Sequence, residues 1–396
     1  MTSRRTFLAG AAGAAGAAAA AGVAAAPGMA GAADAAPAVA GSRHRPGLPR
    51  RGDQLAVVSQ SGPTVTLFDA VDHHVRAELT LDREPHELCF DAERRLLYCS
   101  HPYTSGFYDK NDGRNHILSV IDPDAGKVVD IIDLSPEHGP HGLVLDPARH
   151  RLYISVEGSP SRPGGILIMD TATRRVLGRV DTLAPGPHWF AVEPRSLRAY
   201  AANKEAPFVT VVDLRTGALV RKVEVPGSEG ISAGPDGSMV AVVSPKADLG
   251  RLTAPPGLRL IDTGTSEIVR TLRTEHALTP VHWTSTGLLL AGEVLEGPDP
   301  NNPRVDMPGG RLHVWAGRSA ATMEHVGSVE VGANPLNVIT TPDGGRAYVS
   351  AIVDSTVSVV DLRDPSRPAL LDTLSIPRAG AWGAHGLAYV PARSRR

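Results

Sequence analysis

A unit of four short strands recurs along the chain from Gln54 to Val390, and such a repeat leaves few folds open. Each copy opens with Pro or a small residue and runs into an apolar strand, as in His141-Gly142-Leu143-Val144-Leu145. A tight turn, Asp146-Pro147-Ala148-Arg149, leads to a second strand, Leu152-Tyr153-Ile154-Ser155. A third apolar strand ends in Asp, and a fourth is more polar. The third strands end at Asp69, Asp122, Asp170, Asp213, Asp262 and Asp361, with a degenerate copy at Leu312-His313-Val314-Trp315, which makes seven. A four-stranded unit buries both faces only by stacking on its neighbours around an axis. Short Val/Ile/Leu-rich strands between Gly, Pro and Asp turns, without helical periodicity, predict an all-β seven-bladed β-propeller. The terminal Asp of each third strand reads as a turn residue.

The ends predict the closure. The first folded segment offers three strands, Gln54 to Ser59, Thr64 to Asp69 and Val75 to Leu81, and lacks an inner one. The last, Ala384-His385-Gly386-Leu387-Ala388-Tyr389-Val390, is an inner strand with nothing after it. Pairing them completes the seventh blade and removes an exposed edge. The propeller is therefore expected at 54–390, with a flexible leader at 41–53 and a tail at 391–396.

Ahead of it, Ser3-Arg4-Arg5-Thr6-Phe7-Leu8 resembles the twin-arginine export motif. An Ala/Gly-rich apolar stretch follows, with Ala-x-Ala exits after Ala32 or Ala40. Residues 1–40 are expected to be a cleaved signal, which implies an extracytoplasmic protein with no membrane span in its mature form. Its formal net charge of −2 and 4% aromatic content argue against nucleic acid as partner, and a monomer is expected.

Arg346-Ala347-Tyr348-Val349-Ser350-Ala351 followed by Val357-Ser358-Val359-Val360-Asp361 resembles the YVTN repeat of YncE-like secreted propellers. Leu152-Tyr153-Ile154-Ser155 and Ala199-Tyr200-Ala201-Ala202-Asn203 are further copies. The resemblance covers nearly all of the mature chain and implies architecture; the repeat hosts many roles, among them non-enzymatic binding.

Inner strands start at one end of the axial channel, the top. The residue after each opening Pro or small residue points to the channel mouth. Read that way, the series is His86, His141, His188, Glu229, His282, Leu336 and His385. Five of seven are His in a chain with 15 His, whereas the YVTN repeat is not systematically His there. His282 depends on the register, since counting from Pro280 puts Val281 at the key position. Imidazoles converging on an axis suit a transition metal (Cu, Fe or Zn), a small-molecule ligand, or acid–base work near neutral pH. His101, Glu157, Glu205, Glu229 and Glu293 are placed to orient them. The long loops, at 101–116, 157–165, 244–257 and 293–311, also lie at the top, and the last is expected to roof the channel.

The architecture is shared by His-ligated carotenoid cleavage oxygenases, whose motifs are absent. It is also similar to that of streptogramin lyases and propeller lactonases, which implies His and Glu acting as acid and base. His150, His276, His313 and His325 read as peripheral. Cys89 and Cys99 flank one turn, as a disulfide or as two buried thiols.

Overall fold

The computed structural model describes residues 48–107, 110–245, 254–299 and 305–393. The expected export signal lies outside them, as do most of the expected leader and the end of the tail. Seven four-stranded antiparallel sheets form the blades of a propeller. Numbered from the first complete one, blade 1 spans 88–133, blade 2 143–181, blade 3 187–224, blade 4 231–273, blade 5 278–330 and blade 6 335–375. Blade 7 joins Ala384–Val390, as its inner strand, to Gln54–Ser59, Thr64–Asp69 and Val75–Thr80. The expected closure is present, with Gln54 opposite Val390 and Leu55 opposite Tyr389. The degenerate third strand is Arg311–Ala316, in blade 5.

The local chemistry explains the repeat. Second and third strands are mostly buried, because each blade is covered on both faces, and fourth strands are mostly exposed. The Asp ending each third strand turns the chain. Asp122, Asp170, Asp213, Asp262 and Asp361 accept hydrogen bonds from backbone N–H groups two or three residues on. Apolar clusters sit between blades, for instance Val58, Leu67, Leu97 and Val390 where blade 7 meets blade 1.

Inner strands approach one another closely at the axis. A Cβ on Gly386 would lie 2.2 Å from the His86 carbonyl oxygen and 2.8 Å from Glu87 Cα. Gly386 N–H donates to that same oxygen at 2.9 Å, so the contact that seals blade 7 to blade 1 has room only for hydrogen. Gly386→Ala is expected to destabilise the fold by about 1–3 kcal/mol, the usual cost of forcing atoms into a packed site. Urea unfolding beside wild type checks this, and an unchanged midpoint contradicts it.

Cys89 and Cys99 do not pair. Cys89 sits opposite Tyr98, and Cys99 is the next residue, so the two thiols point to opposite faces of blade 1. Cys89 packs toward blade 2 and Cys99 toward blade 7. Both are free, and burial pushes both thiols up, Cys89 to about 12.

Candidate metal centre

Strand register decides which residues reach the axis. In blade 3, Pro187 pairs with Asn203 and Phe190 with Ala201, so His188 and Trp189 bulge inward between them. Matching the other blades to this register gives His86, His141, His188, Glu229, Thr279, Leu336 and His385 at the first bulge position. The expected placement of His282 is corrected. In blade 5 Leu278 pairs with Glu293 and Val281 with Ala291, which puts Thr279 at the ring position. His282 lies three residues further down the channel, where its Nε2 meets Thr340 Oγ1 at 3.1 Å.

His385, His86, His141 and His188 come from four consecutive blades and form a continuous arc. Neighbouring ring centroids are 4.2, 4.6 and 3.6 Å apart in that order. All four are buried. Among the described residues no hydrogen-bond partner reaches either ring nitrogen of His86, or Nδ1 of His141, His188 and His385. Burial drives every one of these imidazoles below its usual pKa, with repulsion from neighbouring cations adding to it, and His385 falls to about 3. At neutral pH the arc therefore presents neutral rings with free lone pairs, the form that ligates metals.

Glu229 continues the arc in blade 4. Its Oε1 is 3.6 Å from His188 Nδ1 and 2.8 Å from Lys204 Nζ. Glu157 caps the arc indirectly. It accepts from Tyr103 Oη and pairs with Arg114 Nε at 2.8 Å, and the Tyr103 ring stands edge-on to His86 with centroids 6.0 Å apart. His101 is buried in blade 1, bonded to Ser119 Oγ at 2.9 Å and lowered to about 4 by burial. Glu205 is exposed. Glu293 faces His313 within blade 5 and makes no contact with the arc. Residues 246–253 and 300–304 of the long top loops, including part of the expected roof, lie outside the described residues.

The sequence reading missed Glu87. It occupies the second bulge position, held elsewhere by Gly142, Trp189, Gly230, Pro280, Asn337 and Gly386. Its side chain reaches across the axis. Oε1 accepts from Trp189 Nε1 at 2.9 Å and Oε2 from Asn337 Nδ2 at 2.8 Å, and Oε1 lies 3.5 Å from His385 Nδ1. Burial raises it to about 7 against the pull of those two donors. Reading one column beyond the His series would have found this single carboxylate among uncharged residues.

One nitrogen each from His86 and His141 and one Glu87 oxygen lie within 4.8 Å of one another. Ligand atoms about 2.0–2.2 Å from one ion are at most about 4.4 Å apart, so a small rotamer adjustment brings the three into one coordination sphere. Below the arc the inner strands enclose a cavity of about 420 Å³. Leu143, Phe190, Ile231, Val281 and Val338 line it beside the polar Ser232 and His282, and Glu87, Trp189 and Asn337 are at its upper end. Leu88, His282, Ile339 and Leu387 also line a second cavity of about 450 Å³, which reaches the turn residues Ala92, Ser285 and Pro342 on the opposite face. Among the described residues these cavities lead along the axis toward the tight-turn face.

The chain is 26% identical over 245 residues to a protein of Salmonella typhi described as "uncharacterized protein YncE", covering 58% of this chain and 61% of that one. It is 28% identical over 178 residues to YncE of Escherichia coli K12, covering 41% and 46%. The chain is thus a seven-bladed β-propeller similar in sequence to YncE. It spans less than two thirds of the length of these relatives. No family model matches. Among solved structures it superposes on a chain of Kuenenia stuttgartiensis hydrazine synthase with a TM-score of 0.61 at 18% identity, covering 82% of this chain and 98% of that one. A functionally unknown protein from Desulfotomaculum acetoxidans gives 0.61 at 12% identity, covering 86% and 100%. At these identities the likeness establishes the fold alone.

Proposed function

We propose that this YncE-like propeller is an exported protein that binds one transition-metal ion at the top of its axis, beside a chamber for a small molecule. The observation that carries the reading is the arc of four buried, neutral imidazoles with unpartnered nitrogens, closed by the Glu87 carboxylate. Unpartnered polar atoms in a dry interior are costly, and a metal ion satisfies several at once. His86, His141 and Glu87 would hold the ion, with His385 and His188 next to them. A bound ion would supply Lewis acidity, or redox chemistry if it is Cu or Fe. The chain's own part is to fix the imidazoles, hold Glu87 between Trp189 and Asn337, and keep bulk water from the site.

One observation favours a second reading. A carboxyl at about 7 beside neutral imidazoles is also poised for acid–base chemistry without a metal, as a lyase or lactonase would need. Elemental analysis separates the two. Mature protein is purified without chelator or His-tag beside the His86→Ala/His141→Ala variant. About one Cu, Fe or Zn per chain, falling to under about a tenth in a variant with wild-type circular dichroism, is expected for a site of this ligand count. Wild type that stays metal-free after incubation with each ion overturns the metal reading and leaves the acid–base one.

A further inference from the structure

The outer part of blade 5 holds a second histidine cluster that the axial reading does not use. Glu293 Oε2 lies 3.2 Å from His313 Nε2, and His313 Nδ1 lies 3.0 Å from His325 Nε2. The Trp315 ring packs against both imidazoles, with centroids 5.6 Å from His313 and 5.4 Å from His325. The three groups sit on adjacent strands, Leu289–Glu293, Arg311–Ala316 and Glu324–Glu330.

A bulge creates the pair. Val314 is opposite Gly327 and Trp315 is opposite His325, so Val326 is an extra residue with no partner. Without it, His325 would fall opposite Ala316 and point to the other face of the blade, since a one-residue slip reverses side-chain direction. With it, His325 lies on the face that carries His313 and Trp315.

We infer that His313 and His325 form a second, solvent-accessible site for a divalent transition-metal ion, with Glu293 as the orienting carboxylate. The chemistry follows from the arrangement. Buried Glu293 lies 3.2 Å from His313 Nε2, where a carboxylate orients the ring, and the other ring nitrogen, Nδ1, faces His325. Metal-ligating histidines usually donate their other ring N–H to a carboxylate in this way. Two nitrogens about 2.1 Å from one ion are separated by roughly 3.0–3.4 Å, and this pair already stands at that spacing. His325 is exposed and His313 half-buried, so water completes the coordination and the ion exchanges with solvent. Imidazole pairs suit Cu(II), Ni(II) and Zn(II), with Cu(II) bound most tightly.

The test is a Cu(II) titration of the mature chain followed by tryptophan fluorescence and by calorimetric stoichiometry. Wild type is expected to bind one EDTA-removable Cu(II) beyond any axial ion, with quenching from Trp315. His325→Ala should weaken that event more than tenfold, Glu293→Gln about 10- to 100-fold, and Trp315→Phe should remove the quenching and keep the binding. The axial variant His86→Ala/His141→Ala should retain the event. The inference is overturned if His325→Ala titrates like wild type, if wild type shows no such event, or if the event disappears in the folded axial variant, which would assign it to the axis.

Discussion

A chain truncated after Gly383 is expected to yield no folded, soluble propeller. The missing segment supplies the inner strand of blade 7, which pairs with Gln54–Ser59 along its length. It buries Ala384, Leu387 and Val390. Its Tyr389 hydroxyl donates to Asp53, and Gly386 N–H donates to the His86 carbonyl of blade 1. Burying one Leu or Val side chain is worth about 1.5–3 kcal/mol. Several such losses, with a newly exposed edge at Gln54–Ser59, rival the roughly 5–15 kcal/mol that holds a domain together. Size-exclusion chromatography and far-ultraviolet circular dichroism check this, with full-length mature protein as control. A monodisperse truncated protein melting within a few degrees of full length would show that the closure is dispensable.

The second large effect is acid sensitivity of the metal-free protein. His101 is buried and His282 half-buried along the channel; desolvation depresses both to about 4, and neither belongs to the proposed metal sites. Above the unfolded value of about 6.5 each is neutral in both states and stability does not depend on pH. As pH falls below it, the unfolded chain takes up a proton that the folded one refuses. Stability is lost until the folded pKa is reached, up to about 3 kcal/mol for each between pH 6.5 and 4. The buried arc acts with the same sign. Glu87 opposes it: raised to about 7, it is protonated in the folded state first, so acidification from pH 7 to the unfolded value of 4.5 returns up to about 3 kcal/mol. The histidines outnumber it. Urea midpoints are therefore expected to be flat from pH 8 to 7 and to fall steeply below about 6.5. His282→Gln should reduce the slope between pH 6 and 5 by about 1.4 kcal/mol per pH unit. A flat profile down to pH 4.5 would mean that these imidazoles are not held neutral.

These effects share an origin in the repeat. The alternation of apolar strands with Asp-capped turns is local information, and Asp122, Asp170, Asp213, Asp262 and Asp361 perform the turn role that their spacing implies. The N-terminal deficit of one strand and the C-terminal surplus of one were likewise legible, because a blade needs four. His86, His141, His188 and His385 were identifiable for the same reason: they recur at the first inward position of their blades. His282 was misplaced because blade 5 pairs Leu278 with Glu293 and then slips, and only the partner strand shows where a bulge falls. Glu87 was overlooked because no column of like residues surrounds it. Its neighbours Trp189 and Asn337 are 102 and 250 residues away in the chain.

The sequence by itself determined the blade count, the closing strand and the concentration of histidine at one end of the axis, since each depends on residues within one repeat or on a pattern carried from repeat to repeat. The tertiary structure alone decided which imidazoles stand together, that Glu87 spans the channel, that the two thiols face apart, and that His313 meets His325. Those outcomes depend on register and on contacts between distant blades. A shift of one residue in strand pairing reverses every side chain beyond it, and no local pattern records that shift.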